Sequence, residues 1–158
     1  MAFTVGVNSY ESVGEADSFL STHVKYSRWS GLASGQKENY LIQACEDIEQ
    51  FSENYVGWRY DSGQRLSFPR TLISGDSDFE NITPSGVKEA QSLQAIWLVS
   101  NYDRREERED METLGIQQID VDSTTEKRSS IKFGVCKEAL RKISIYVRNK
   151  ITKRIYRS

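Results

Sequence analysis

Apolar side chains that recur at steps of three and four constrain this chain more than any other feature. From Lys37 onward, Leu41, Ala44, Cys45, Ile48, Phe51 and Tyr55 fall on one stripe, which predicts an amphipathic helix over 36–54. Ser34 is placed to cap it, after a connection holding Trp29 and Leu32. The same spacing follows the capping box Ser12-x-x-Glu15, where Val13, Ala16, Phe19 and Leu20 predict a helix over 12–22. Thr83 as N-cap and Pro84 as first helical residue open a third helix over 84–103, with Val87, Ala90, Gln94, Trp97, Leu98 and Asn101 on one side. Val135, Ala139, Leu140, Ile143, Tyr146 and Val147 predict a last one over 135–150. Between the last two, Ile119 and Val121 suit a strand, with Ile131 and Phe133 as its return. The expected fold is mainly α, a small helical bundle with strand confined to a short β-hairpin or irregular segment near 115–133, ending in a basic amphipathic helix.

With 158 residues, 28% charged and 37% hydrophobic, the chain predicts one domain with a lean core, which favours support from partner surfaces. Its net charge of −2 conceals a division. Residues 1–126 carry 10 Lys+Arg and 22 Asp+Glu, a net of −12, whereas residues 127–158 carry 11 Lys+Arg and one acid, Glu138, a net of +10. This gives an acidic helical body and a basic C-terminal segment, whose partner is nucleic acid, an acidic protein surface or a neighbouring body. A docking helix is the favoured role for the segment, ahead of a membrane-surface helix or a nucleic-acid arm. The run Asp103–Asp110 alternates in sign and reads as the solvated continuation of the third helix. Glu38, Glu46, Asp47, Glu49 and Glu53 read as the solvated face of the 36–54 helix. No apolar run approaches a membrane span, and the first residues lack the pattern of a secretory signal, so a cytosolic protein is expected.

The sequence offers little chemistry. His23 is the sole histidine, and Cys45 and Cys136 stand apart in apolar surroundings, which predicts buried, inert thiols. Asp76, Asp78 and Glu80 alternate as in a calcium loop, but Asn81 and Val87 stand where that loop needs Gly and Glu. Phosphate loops, dinucleotide fingerprints and nucleophile elbows are absent. Catalytic residues, cofactors and metals are therefore not expected, nor is an enzyme.

One loop stands out. Tyr55-Val56-Gly57-Trp58-Arg59 and Gln64-Arg65-Leu66-Ser67-Phe68-Pro69-Arg70 flank the turn Asp61-Ser62-Gly63. Trp58 and Phe68 are able to stack on bases while Arg59, Arg65 and Arg70 hold phosphates. The simpler assignment, and the favoured one, is that the aromatics cover the edge of the core.

The order of elements resembles a family of tailed-bacteriophage proteins. The resemblance rests on Ser9-Tyr10-x-Ser12-x-x-Glu15-Ala16-Asp17, the Leu41-Ile42-Gln43-Ala44 helix, the aromatic-Gly loop, Gln64-x-Leu66-x-Phe68-Pro69-Arg70 and the Pro84-x-x-Val87-Lys88-x-Ala90 helix, over residues 9 to about 100. Such sequences are labelled DnaT-like single-stranded-DNA-binding proteins and also resemble head-to-tail adaptors. The adaptor resemblance, taken as the main reading, implies a structural virion-neck protein assembled in the host cytoplasm. It implies a homo-oligomeric ring, commonly of twelve copies, between the portal and a stopper or tail-completion protein, with double-stranded DNA passing through without sequence-specific binding and no membrane contact. On that reading Ile143, Tyr146, Val147, Arg148, Lys150, Ile151, Arg154 and Ile155 are the expected portal or subunit contacts, and Trp58, Phe68, Pro69 and Arg70 form an architectural loop. The alternative is single-stranded-DNA binding.

Overall fold

The computed structural model describes residues 2–71, 82–113, 118–121, 124–127 and 134–147, with residues 108–127 given by backbone alone. Helices carry the fold: α1 (Val13–Leu20), α2 (Tyr26–Ser30), α3 (Ser34–Glu49), α4 (Ser85–Thr113) and α5 (Lys137–Ile143). Two antiparallel ladders accompany them, β1 (Trp58–Arg59) with β2 (Arg70–Thr71), and β3 (Gln118–Val121) with β4 (Thr124–Lys127). The chain is thus mainly α with a short hairpin, as expected.

The local chemistry explains where elements begin and end. At α1 the Ser12 N–H donates to Glu15 Oε2 at 2.8 Å and the Glu15 N–H to Ser12 Oγ at 3.2 Å, so the capping box is complete. α3 starts at Ser34 itself rather than after it. Ala33 is extended ahead of the helix and donates its N–H to Gln36 Oε1 at 3.1 Å, so the glutamine, not Ser34, closes this end. α3 also stops at Glu49, and a single 3-10 turn takes over at Ser52–Asn54. α4 begins one residue past Pro84, whose carbonyl accepts from Val87 and Lys88, and its backbone carries the alternating charges on to Thr113. The return strand falls on Thr124–Lys127, with Val121 opposite Thr124, within the Asp122–Arg128 stretch expected to be a turn; Ile131 and Phe133 lie outside the described residues.

α4 is the hub against which α1, α2, α3 and α5 all pack. One part of the core gathers Leu20, Trp29, Leu41, Ala44, Ile96 and Leu98, and the other Ile48, Tyr55, Phe68, Val87, Ala139 and Ile143. Each large side chain here removes enough apolar surface from water to contribute about 1.5–3 kcal/mol. Trp29, expected in a connection, is fully buried on α2, and its Nε1–H donates to Asp17 Oδ1 at 2.6 Å.

The buried face of α4 is not wholly apolar, and its two glutamines fix how the ends of the chain dock. Gln91 Oε1 accepts the Tyr10 N–H at 2.8 Å, while its Nε2 donates to Ser9 Oγ and the Leu41 carbonyl, each at 2.8 Å. One turn later Gln94 Nε2 donates to Asp47 Oδ2 and the Gly134 carbonyl, both at 2.6 Å, and its Oε1 accepts the Cys136 N–H at 2.8 Å. A buried amide left without such partners is costly, so this seating of the segments is held by the satisfaction of both residues.

Asp47 and Glu49 correct the expected solvated face of α3. Asp47 is fully buried and pairs with Arg105 at 2.6 Å. Burial raises its pKa, while Arg105, Gln94 and Gln43 oppose the shift. Glu49 accepts from the Tyr10 hydroxyl and, through Oε2, from the Ser67 N–H and hydroxyl at 3.0 and 2.8 Å.

Candidate nucleic-acid interface

The loop singled out in the sequence folds as the β1–β2 hairpin, which the expectation of strand only within 115–133 did not include. Tyr55 is extended, Gly57 takes φ +78°, a value side-chain-bearing residues rarely adopt, and the chain then enters β1. Trp58 pairs with Thr71 and Arg59 with Arg70, and the Tyr60 N–H extends the ladder to the Pro69 carbonyl at 3.1 Å. The turn is held from within. Asp61 Oδ1 accepts the Gly63 N–H at 2.8 Å, and Gln64 Nε2 donates across the loop to the carbonyls of Leu66 and Pro69 at 2.8 and 2.9 Å.

The residues expected to act together divide sharply. Phe68, followed by a cis bond to Pro69, sits in the core with edge-on rings around it: Tyr55 at 4.8 Å, Tyr146 at 5.6 Å and Tyr10 at 6.1 Å between centroids. It is out of reach of a base. Arg70 is buried too, its guanidinium donating to the carbonyls of Val56 (2.9 Å), Gly57 (2.6 Å), Tyr55 (3.4 Å) and Ser67 (3.4 Å). Burial lowers its pKa, and the positive charge of nearby Arg59 pushes the same way. Phe68, Pro69 and Arg70 thus serve the loop's architecture. Trp58 differs, since 65% of it is exposed.

Three further side chains of this hairpin are exposed: Arg59, Arg65 and Tyr60, the last 48% exposed. Neither arginine makes an ion pair among the described residues. Sequence reasoning missed Tyr60; its position two residues after Trp58 in an extended stretch was the available signal.

The expected contact residues of the C-terminal segment also divide. Ile143 is fully buried in the chain's own core, Tyr146 packs on Phe68, and Val147 lies half-buried and extended opposite Tyr55. Ile143 is therefore not open to a partner, contrary to expectation. The helical stripe was legible, but it faces inward. α5 ends at Ile143, a 3-10 turn comes next at Ser144–Tyr146, and the pairing of Val147 with Tyr55 replaces the helix expected to run to 150. Among the described residues of this segment, Ile145, 73% exposed, is a large apolar side chain at the surface. Arg148, Lys150, Ile151, Arg154 and Ile155 lie outside the described residues, as do Asp76, Asp78 and Glu80.

Among the described residues, no group of His, Cys, Asp and Glu is arranged to hold a metal ion, and no helix is long and apolar enough to cross a membrane. Cys45 and Cys136 are both buried and free, and burial raises the pKa of each thiol. His23 lies half-buried, 3.6 Å from Glu138.

No curated protein and no solved structure matches the chain. Residues 2–158 match the family described as "Putative DnaT-like ssDNA binding protein", and the chain belongs to that family.

Proposed function

We propose that this protein binds single-stranded DNA through the exposed residues of the β1–β2 hairpin. The observation that carries the reading is the presence on one hairpin of two exposed rings, Trp58 and Tyr60, and two exposed guanidinium groups, Arg59 and Arg65, that have no ion-pair partner among the described residues. Unpaired bases offer π-faces that a duplex hides, and each base stacked on an aromatic ring is worth about 1–3 kcal/mol. The family description points the same way. No step of this reading requires catalysis, a metal or a cofactor.

The test is fluorescence anisotropy of a labelled oligothymidylate titrated with the protein over a range of salt, beside a duplex of equal length. Saturable binding that prefers the single strand is expected. Its salt slope should be shallow, since each phosphate bound on a single strand contributes only about −0.7 to that slope. Folded protein that ignores the single strand even at low salt would overturn the reading.

The second reading is the phage head-to-tail adaptor, a homo-oligomeric ring between portal and stopper with double-stranded DNA passing through. The division of charge favours it, because −12 on residues 1–126 and +10 on residues 127–158 allow neighbouring copies to pair. An acidic body also suits a conduit from which DNA must slide free. On this reading residues 127–158 are the docking segment and the neck of the virion is the location. Native mass spectrometry with and without portal protein tests it, and a chain that stays monomeric in both conditions would count against it.

A further inference from the structure

Between α3 and α4 the described residues leave a groove of about 320 Å³, lined by Gln36, Asn39, Tyr40, Gln43 and Tyr102. It runs on into a smaller hollow of about 130 Å³ that shares Gln43 and Tyr102 and ends at Arg105 and Glu106. Helical spacing accounts for the placement: positions 36, 39, 40 and 43 share one face of α3, as 102, 105 and 106 do on α4. The five residues of the main groove carry no charge, although residues 1–126 sum to −12. Asp47, one turn beyond Gln43, is already paired with Arg105 at 2.6 Å. Part of the hydrogen-bonding capacity of the walls is in use. Gln36 Oε1 accepts the Ala33 N–H at 3.1 Å and Gln43 Nε2 donates to Asp47 Oδ1 at 3.3 Å, which leaves the Gln36 amide nitrogen to donate and the Gln43 amide oxygen to accept. Asn39 keeps both functions, since its side chain has no hydrogen-bond partner among the described residues. Two rings complete the groove, Tyr40 half-buried and Tyr102 40% exposed.

We infer that the groove of Gln36, Asn39, Tyr40, Gln43 and Tyr102 binds a purine base of the adenine type, with tyrosine against its face and side-chain amides on its edge. Other ligand classes use these walls poorly. An anionic group meets no cation among the five, and an aliphatic chain would leave three amides unmatched. A planar base uses both kinds of wall, because adenine shows a donor and an acceptor side by side on one edge, the pair that an Asn or Gln amide meets with two hydrogen bonds. The size agrees with one base or nucleoside, at the low end of the roughly 300–1,000 Å³ of small-molecule sites. This site owes nothing to the hairpin, so either can fail without the other.

The test titrates adenosine, which has no phosphate, into isotope-labelled full-length protein while the side-chain amide signals of Gln36, Asn39 and Gln43 are followed by NMR. Saturable shifts of these signals are expected. Inosine, which replaces adenine's amino donor with a carbonyl, should bind at least about fivefold more weakly. Tyr102→Ala should weaken adenosine binding at least about fivefold through lost stacking, with Tyr102→Phe close to the parent. Asn39→Asp keeps the shape of the side chain but removes its donor and should weaken binding to a similar degree, with the melting temperature unchanged. Trp58→Ala should leave adenosine binding as it is. A short oligodeoxyadenylate distinguishes the sources of the base: a gain over adenosine at the same amide signals assigns the groove to a strand, and no gain assigns it to a free nucleoside or nucleotide. Absence of shifts at the three amides, equal binding of adenosine and inosine, or folded Tyr102→Ala and Asn39→Asp variants that bind like the parent would overturn the inference and leave the hairpin reading standing.

Discussion

The buried and the exposed residues of the β1–β2 hairpin are of the same types and have opposite fates. Phe68 and Arg70 turn inward, the ring into a cluster of three tyrosines and the guanidinium onto four backbone carbonyls. Trp58, Arg59, Tyr60 and Arg65 are exposed. An arginine becomes structural when a bent backbone presents it with acceptors, as Tyr55, Val56 and Gly57 do for Arg70. Without such acceptors it remains available to a ligand. Residue type sets the chemistry on offer, and the surrounding backbone decides who receives it.

Stability measurements sharpen this contrast most. Phe68→Ala is expected to cost about 3–5 kcal/mol, as for other large rings removed from a core, and to lower the melting temperature accordingly. Trp58→Ala should stay within about 0.5 kcal/mol of the parent. Equal losses at the two positions would show that both residues are structural.

The arginines give the next largest effect. Arg70→Ala leaves several buried carbonyls without their charged donor and should cost about 3 kcal/mol, read as a lower urea midpoint at unchanged slope. Arg70→Lys should recover little of it, because a single ammonium cannot span acceptors that a planar fork reaches together. Arg59→Ala and Arg65→Ala should alter stability by about 0.5 kcal/mol or less while weakening DNA binding.

The same contrast of inward and outward recurs between two carboxylates of the Ser9–Asp17 motif. Burial raises the pKa of Glu11 to about 8, against the hydrogen bond from the Ser92 hydroxyl at 2.6 Å. The folded state thus holds a proton that the unfolded chain releases near its ordinary value of 4.5. Stability should fall as pH rises from about 4.5 to about 8 and level off above that, and Glu11→Gln should flatten this stretch of the pH–stability curve. Glu15 faces outward, and hydrogen bonds from Lys88 and Ser12 lower its pKa to about 2. Its contribution is present above the unfolded value of 4.5 and lost as pH falls toward 2. The smallest effect is expected at Lys88→Ala, which removes a partly exposed ion pair of 2.6 Å and should cost about 1 kcal/mol or less.

Periodicity made most of the helical frame legible, because α1, α3 and the buried half of α4 each bury one stripe. It could not show that Asp47 and Glu49 turn inward, since the partners that make this tolerable, Arg105, Gln94, Tyr10 and Ser67, lie 18 to 58 residues away. α2 is too short, at five residues, to display a period. β1 and β2, of two residues each, are set by pairing across their turn rather than by strand propensity. The end of α5 escaped for a similar reason: its stripe continues in sequence, but Val147 finds a backbone partner in Tyr55. Several residues that carried the family resemblance proved to be fasteners of the fold. Ser9 and Tyr10 bind Gln91, Asp17 holds Trp29 and Lys37, and Arg70 ties the loop carbonyls. Those fasteners bring out the fold, while the exposed rings beside them carry the proposed activity.

The central claim is that the exposed residues of the hairpin take single-stranded DNA, and the most direct test compares the affinity of the parent and of a Trp58→Ala, Tyr60→Ala double variant for the same oligothymidylate at one salt concentration, with melting temperatures measured alongside. Two lost stacking interactions of about 1–3 kcal/mol each predict binding weaker by at least about tenfold, with the melting temperature unchanged. A double variant that remains folded and binds as tightly as the parent would contradict the claim.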